Sequence, residues 1–91
     1  MLYLIAYDVV DDNRRTRLFE ALKDFGRPVQ RSVFECDLED GGLDELLERI
    51  DFEVDRAADS CRIYKLCKAC AADAIEIGRP TRPDEPQVWI I

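Results

Sequence analysis

The chain contains no histidine. Without imidazole, proton transfer near neutral pH falls to other side chains or to water acidified by a bound ion. Zinc sites that need a histidine are excluded as well. No apolar run approaches the roughly eighteen residues of a membrane helix, and the opening residues lack the basic region of a secretory signal. A soluble, cytoplasmic protein is therefore expected. Internal repeats and low-complexity segments are also missing, and 91 residues suffice for one domain, 1–91, with a modest core.

Cysteine is sparse, at four residues. Cys67 and Cys70 form a C-x-x-C, but no second pair accompanies it. A zinc site would have to recruit Cys36 and Cys61, and a thioredoxin-type pair should open a helix after a strand near the N-terminus. The simpler reading is reduced thiols packed as small hydrophobes.

The net charge of −7 is unevenly spread: residues 35–59 hold two basic and eleven acidic side chains. A uniformly acidic surface would argue against nucleic acid. Here the acid is confined to the middle of the chain, which leaves room for a basic patch elsewhere.

What the chain does have is a short apolar run, Tyr3-Leu4-Ile5-Ala6-Tyr7-Asp8-Val9-Val10. Its β-branched and aromatic residues predict a strand over residues 2–9 with apolar side chains on both faces. Asp11, Asp12 and Asn13 offer N-caps for a following helix. Leu18, Leu22 and Phe25 share one stripe of that helix, with Phe19 and Ala21 beside it. Gly26 is expected as its C-cap, and Pro28 forbids continuation.

Residues 29–38 alternate as extended chain, with Gln30, Ser32, Phe34, Cys36 and Leu38 on one face and Arg31, Val33, Glu35 and Asp37 on the other. Ten residues is long for one strand. A break near Arg31 and Ser32 is an alternative, although the usual turn residues are missing there. A turn over 39–42 leads to a second helix over 43–51, with Leu43, Leu46, Leu47 and Ile50 inward. A strand over 60–67, a connector over 68–72 and a short strand over 74–78 follow. Residues 79–91 read as a proline-containing linker and an apolar C-terminal strand that must dock on its own sheet or on a partner's.

This order predicts an α+β sandwich of the ferredoxin-like βαββαβ type with an extra C-terminal strand. Two helices can cover only one face of the sheet. A second copy of the chain, packed sheet to sheet as a homodimer, is the simplest cover for the other.

Chemistry is expected at Asp8, where an acid interrupts the end of the apolar strand. It suits a hard cation such as Mg²⁺ or Mn²⁺, and a two-fold dimer would bring two copies to one metal. The alternative is a turn cap through the amides of Val10 or Asp11. Arg14, Arg15 and Arg17 oppose the dipole of the helix they begin, at roughly 0.3–1 kcal/mol each. Phosphate contact explains them, as does neutralisation of Asp8, Asp11 and Asp12. Phe34 with Arg31 offers either a stacking surface for a base or simple core packing.

Tyr3 through Val9, then Asp11-Asp12-Asn13-Arg14-Arg15-Thr16-Arg17, then Gly26 and Val29-Gln30-Arg31-Ser32-Val33-Phe34-Glu35 together resemble the CRISPR-associated Cas2 family. Asp59 through Tyr64 adds to the likeness, which runs from residue 1 to about residue 78. The resemblance implies a homodimer whose C-terminal strands pair with the partner, and a divalent metal held by Asp8 of both protomers. It further implies metal-dependent cleavage of RNA or double-stranded DNA, with Tyr7, Asp8, Arg15, Arg17 and Phe34 at the catalytic site. Partnership with a CRISPR integrase subunit is also implied, in which the protein clamps DNA for spacer integration without needing to cut it. Where the family often has a basic residue before Val-Gln, this chain has Pro28, with Arg27 one place earlier.

Overall fold

The computed structural model describes residues 1–75 and residue 77. Strand β1 (Leu2–Asp8) leads into helix α1 (Asp12–Leu22), then β2 (Arg27–Gln30) and β3 (Val33–Asp37). Helix α2 (Gly42–Glu53), strand β4 (Ser60–Leu66) and the short helix α3 (Lys68–Ala72) complete the described chain. The strands form one antiparallel sheet in the order β2-β3-β1-β4. This is the ferredoxin-like α+β arrangement, with β1 between β3 and β4.

Alternation along the strands sorts the side chains onto two faces. One face presents Ile5, Tyr7, Phe34 and Cys36 to Leu18 and Leu22 of α1 and to Leu46 and Ile50 of α2. All of these are buried, and each large apolar side chain removed from water contributes about 1.5–3 kcal/mol. Phe19 meets Phe34 edge-on, with ring centroids 5.3 Å apart. The opposite face carries Leu2, Leu4, Ala6 and Asp8 of β1 beside Leu66, Tyr64, Arg62 and Ser60 of β4. Leu2, Leu4 and Ala6 are half-buried there, while Tyr64 and Arg62 are exposed. Among the described residues, no helix is long and apolar enough to cross a membrane.

Helix α1 is capped by Asp11, whose side chain accepts from the Arg14 amide at 2.9 Å. Gly26 does not serve as the left-handed C-cap expected of it: the cap residue is Lys23 in right-handed helical geometry, and Gly26 lacks a positive φ. Its smallness answers a different need. A Cβ on Gly26 would lie 2.2 Å from the Glu35 carbonyl oxygen and 2.8 Å from Cys36 Cα, so the α1–β2 link can pass β3 only without a side chain.

The extended segment breaks at Arg31 and Ser32, with Ser32 adopting φ 59°. A non-glycine left-handed residue is uncommon. It is supported here because the Ser32 carbonyl accepts from the Tyr7 amide at 3.0 Å, which ties the turn to the end of β1. Leu47, expected inward, is 42% exposed: the stripe of α2 that meets the core is filled by Leu46 and Ile50. The strand expected over 74–78 does not form at Ala74, Ile75 or Ile77, and Ile75 and Ile77 lie open to solvent. The rest of that stretch and the linker and strand of 79–91 lie outside the described residues.

Candidate nucleic-acid and metal site

Asp8 ends β1 on the sheet face away from the helices, opposite Ser60 of β4. Its side chain is exposed and makes no hydrogen bond or ion pair among the described residues. The turn-capping alternative does not hold for the Val10 amide, which donates instead to Asp59 Oδ1 at 3.1 Å. An uncommitted carboxylate at the end of a central strand remains. It fits as one oxygen donor for a hard divalent cation. Among the described residues no group of three or more ligating side chains exists, so Asp8 by itself is an incomplete metal site. The described residues do not supply the further donors that such an ion needs.

The three arginines at the start of α1 fall into different surroundings. Arg14 is committed: its Nε and Nη2 donate to Asp59 Oδ2 and Oδ1 at 2.9 and 3.1 Å. This fork, joined by the amides of Asp55 and Val10, holds the Asp59 carboxyl well below the usual carboxylate range. The same bond holds the Arg14 guanidinium further up.

Arg15 donates from Nε to the Val9 carbonyl at 3.1 Å and from Nη1 to Asp12 at 2.6 Å. That leaves the rest of its guanidinium beside the β1–α1 link. Arg17 is the most open, with its Nε 3.9 Å from Glu53 and more than half its side chain in solvent. Arg31 lies half-buried in the β2–β3 turn, which the Tyr7 amide draws up against the same end of the sheet.

Tyr7 and Phe34 sit differently. Both point into the helix-covered core, the reverse side of the sheet from Asp8, with ring centroids 6.4 Å apart. Burial pushes the Tyr7 phenol up to about 12, with Arg15 acting weakly the other way, so it stays protonated at neutral pH. Phe34 has no exposed surface and is walled in by Tyr7 and Phe19. Their contribution to the Asp8 end is to shape the strand beneath it. The structure thus places Asp8, Arg15 and the Arg31 turn at one end of the sheet, turns Arg17 toward Glu53 of α2, and sets Tyr7 and Phe34 on the reverse side from Asp8.

Sequence reasoning passed over Asp59 and Arg62. Asp59 was visible only as part of a motif, since its partners stand far from it in the chain. Arg62 pairs with Ala6, two register steps from the Asp8–Ser60 pair and so on the same sheet face. Its Nη1 lies 3.3 Å from the Tyr64 hydroxyl. The signal for Arg62 was the alternation of β4, which places it on the same face as Asp8. Cys67 and Cys70 lie together, the Cys70 amide donating to Cys67 Sγ at 3.3 Å, but no group of three or more ligating side chains forms among the described residues; Cys36 is buried and Cys61 half-buried.

A family model described as CRISPR associated protein Cas2 matches residues 1–74. The CRISPR-associated endoribonuclease Cas2 1 of Chloroflexus aurantiacus is 38% identical, with 100% of each chain covered. The CRISPR-associated endonuclease Cas2 2 of Thermus thermophilus is 46% identical over 63 residues, 69% of this chain and 70% of that protein. Among solved structures, Streptococcus pyogenes Cas2 superposes with a TM-score of 0.77 at 29% identity, covering 86% of this chain and all of that one. A hypothetical protein from Thermus thermophilus gives a TM-score of 0.78 at 37% identity, over 91% of this chain and 96% of that one. With its βαββαβ sheet, its exposed strand-end aspartate and the match of nearly its whole length, this chain belongs to the Cas2 family of CRISPR-associated proteins.

Proposed function

We propose that this chain is a CRISPR adaptation protein that acts as a homodimeric, metal-dependent endonuclease, hydrolysing phosphodiester bonds in RNA or double-stranded DNA. The observation that carries this reading is the Asp8 carboxylate, exposed and unpaired among the described residues at the end of β1. Exposed and without a partner among the described residues, this carboxylate is open to a cation. Two copies facing each other across a two-fold axis would repel unless a cation lay between them, and Mg²⁺, with Mn²⁺ as the substitute, suits an all-oxygen donor set.

When bound there, a divalent cation would supply Lewis-acid charge and lower the pKa of water near the scissile phosphate. The chain's own residues do the remaining work. Asp8 holds and orients the ion, while Arg17 and the free side of Arg15 offer charge-assisted hydrogen bonds to phosphate oxygens as negative charge builds there. Tyr7, neutral and buried, carries no proton to the reaction and instead fixes the strand that presents Asp8. The relatives named endoribonuclease and endonuclease support the reaction class.

The test compares wild type with Asp8→Ala on RNA and on duplex DNA, with Mg²⁺ and with chelator. Cleavage should require both the metal and Asp8. Equal cutting by the two proteins sinks the proposal.

A second reading is a non-catalytic adapter that clamps DNA between CRISPR integrase subunits. It is favoured by the position of β4, which, like β2, forms one of the two edges of the described sheet, where another strand can pair. Under that reading Asp8→Ala leaves spacer integration intact, and deleting residues 87–91 abolishes assembly with the integrase.

A further inference from the structure

The Val9–Val10 peptide unit is gripped at both of its polar atoms. Its carbonyl accepts from Arg15 Nε at 3.1 Å, and its N–H donates to Asp59 Oδ1 at 3.1 Å. The Asp59 side chain has no exposed surface. It also accepts from the Asp55 amide at 2.8 Å and from the fork of Arg14 at 2.9 and 3.1 Å. One carboxylate therefore joins the β1–α1 link, the first turn of α1 and the α2–β4 link. The linked peptide begins one residue after Asp8, beyond the last ladder pair of β1, where no sheet bond holds the chain.

We propose that Asp59, with Arg14 as its partner, is a positioning residue for phosphodiester cleavage. By holding the Val9–Val10 peptide plane, the pair sets the direction in which Asp8 leaves the strand and the place of the Arg15 guanidinium relative to it. The proposal rests on the nuclease reading of Asp8. Neither Asp59 nor Arg14 touches the reacting atoms.

Two physical points support it. A carboxylate that accepts from two backbone amides and both arms of one guanidinium has its geometry over-determined, which is what pre-organisation requires. Arg14 also commits Nε and Nη2, one edge of its guanidinium, to Asp59, and keeps only 24% of its side chain in solvent. Lysine cannot reproduce that fork.

The experiment uses the full-length chain and the variants Asp59→Asn, Arg14→Gln, Arg14→Lys and the double variant Asp59→Asn with Arg14→Gln. Metal-dependent cleavage of RNA and duplex DNA is measured for kcat and KM, uncut duplex binding is measured against salt, and amide exchange is followed at Val10 and Ile5. A misplacement of about 1 Å costs on the order of a hundredfold in rate, so kcat should fall about ten- to a hundredfold in each single variant, with KM nearly constant. The double variant should be no worse than the poorer single one, and Arg14→Lys should not rescue. Exchange should accelerate at Val10 and not at Ile5, and the salt slope should stay unchanged.

Unchanged kcat in Asp59→Asn overturns the positioning role. So does a salt slope reduced by about 0.9 in Arg14→Gln, the signature of a lost phosphate contact. Equal acceleration at Val10 and Ile5 would mean a general loosening of the fold and overturns it too. If wild type itself shows no metal-dependent cleavage, the nuclease reading falls and takes this role with it. Cleavage that needs Asp8 but ignores Asp59 refutes the positioning alone.

Discussion

Replacing Phe34 separates a core residue from a catalytic one, because the two roles predict opposite patterns for alanine and leucine. Phe34 has no exposed surface and packs edge-on against Phe19 and obliquely against Tyr7. Truncating a fully buried phenylalanine to alanine costs about 3–5 kcal/mol in lost transfer energy and cavity. A domain of this size has a net stability on the order of 5–14 kcal/mol, so Phe34→Ala removes a large part of it. At roughly 4–8 °C per kcal/mol for a small domain, Tm should fall by about 12 °C or more. Phe34→Leu keeps most of the volume and should cost about 1–2 kcal/mol.

The assay is thermal unfolding at matched protein concentration, since any self-association makes Tm depend on it. Cleavage is measured beside it, at a temperature where the variant is folded. Leucine should restore both stability and cleavage. If Phe34→Ala keeps its Tm within a few degrees yet loses cleavage as completely as Asp8→Ala, or if a stable Phe34→Leu is inactive, placing Phe34 solely in the core is refuted.

Gly26→Ala should lower the urea midpoint, because the new Cβ meets backbone atoms of Glu35 and Cys36 that cannot rotate away; overpacking of this kind costs about 1–3 kcal/mol. A midpoint unchanged from wild type would show that the α1–β2 link can shift. The Asp59 carboxyl is held low in the folded state by Arg14 and backbone amides, so its stabilisation is present above the unfolded carboxylate value and is lost on acidification below about pH 4. Asp59→Asn should therefore flatten the acid limb of stability against pH, measured by urea titrations from pH 6 downward. The Tyr7 phenol is raised to about 12, so its contribution is full below the ordinary tyrosine value and is lost as pH rises through the folded one; Tyr7→Phe should lose less stability than wild type across that alkaline window. Thiol titration under native conditions should find Cys67 fast and Cys36 slow, with Cys70, raised by its bond to Cys67, behind Cys67. Cys67 is exposed and the hydrogen bond from Cys70 holds its thiol down, while burial pushes Cys36 up to about 11.

Local sterics and side-chain periodicity were enough for the sequence to determine the first strand, both long helices and the faces of residues 33–38, because each is decided by neighbours within a turn or a pleat. The likeness to Cas2 and the place of Asp8 at the end of the first strand were legible for the same reason: the motif is contiguous, and an acid ending an apolar strand is conspicuous. Only the tertiary structure separated Arg14, Arg15 and Arg17. In sequence they are three equal cations, and what distinguishes them is Asp59, which stands 45 residues from Arg14 in the chain. The same holds for Gly26, whose need for hydrogen in place of a side chain comes from β3 passing alongside. Ser32 turns where no turn residue announces it because its carbonyl accepts from the Tyr7 amide. Periodicity reports which way a side chain points. What it meets there is set by chain segments brought together only when the sheet closes, and at this site that meeting leaves Asp8 uncommitted while Arg14 is held.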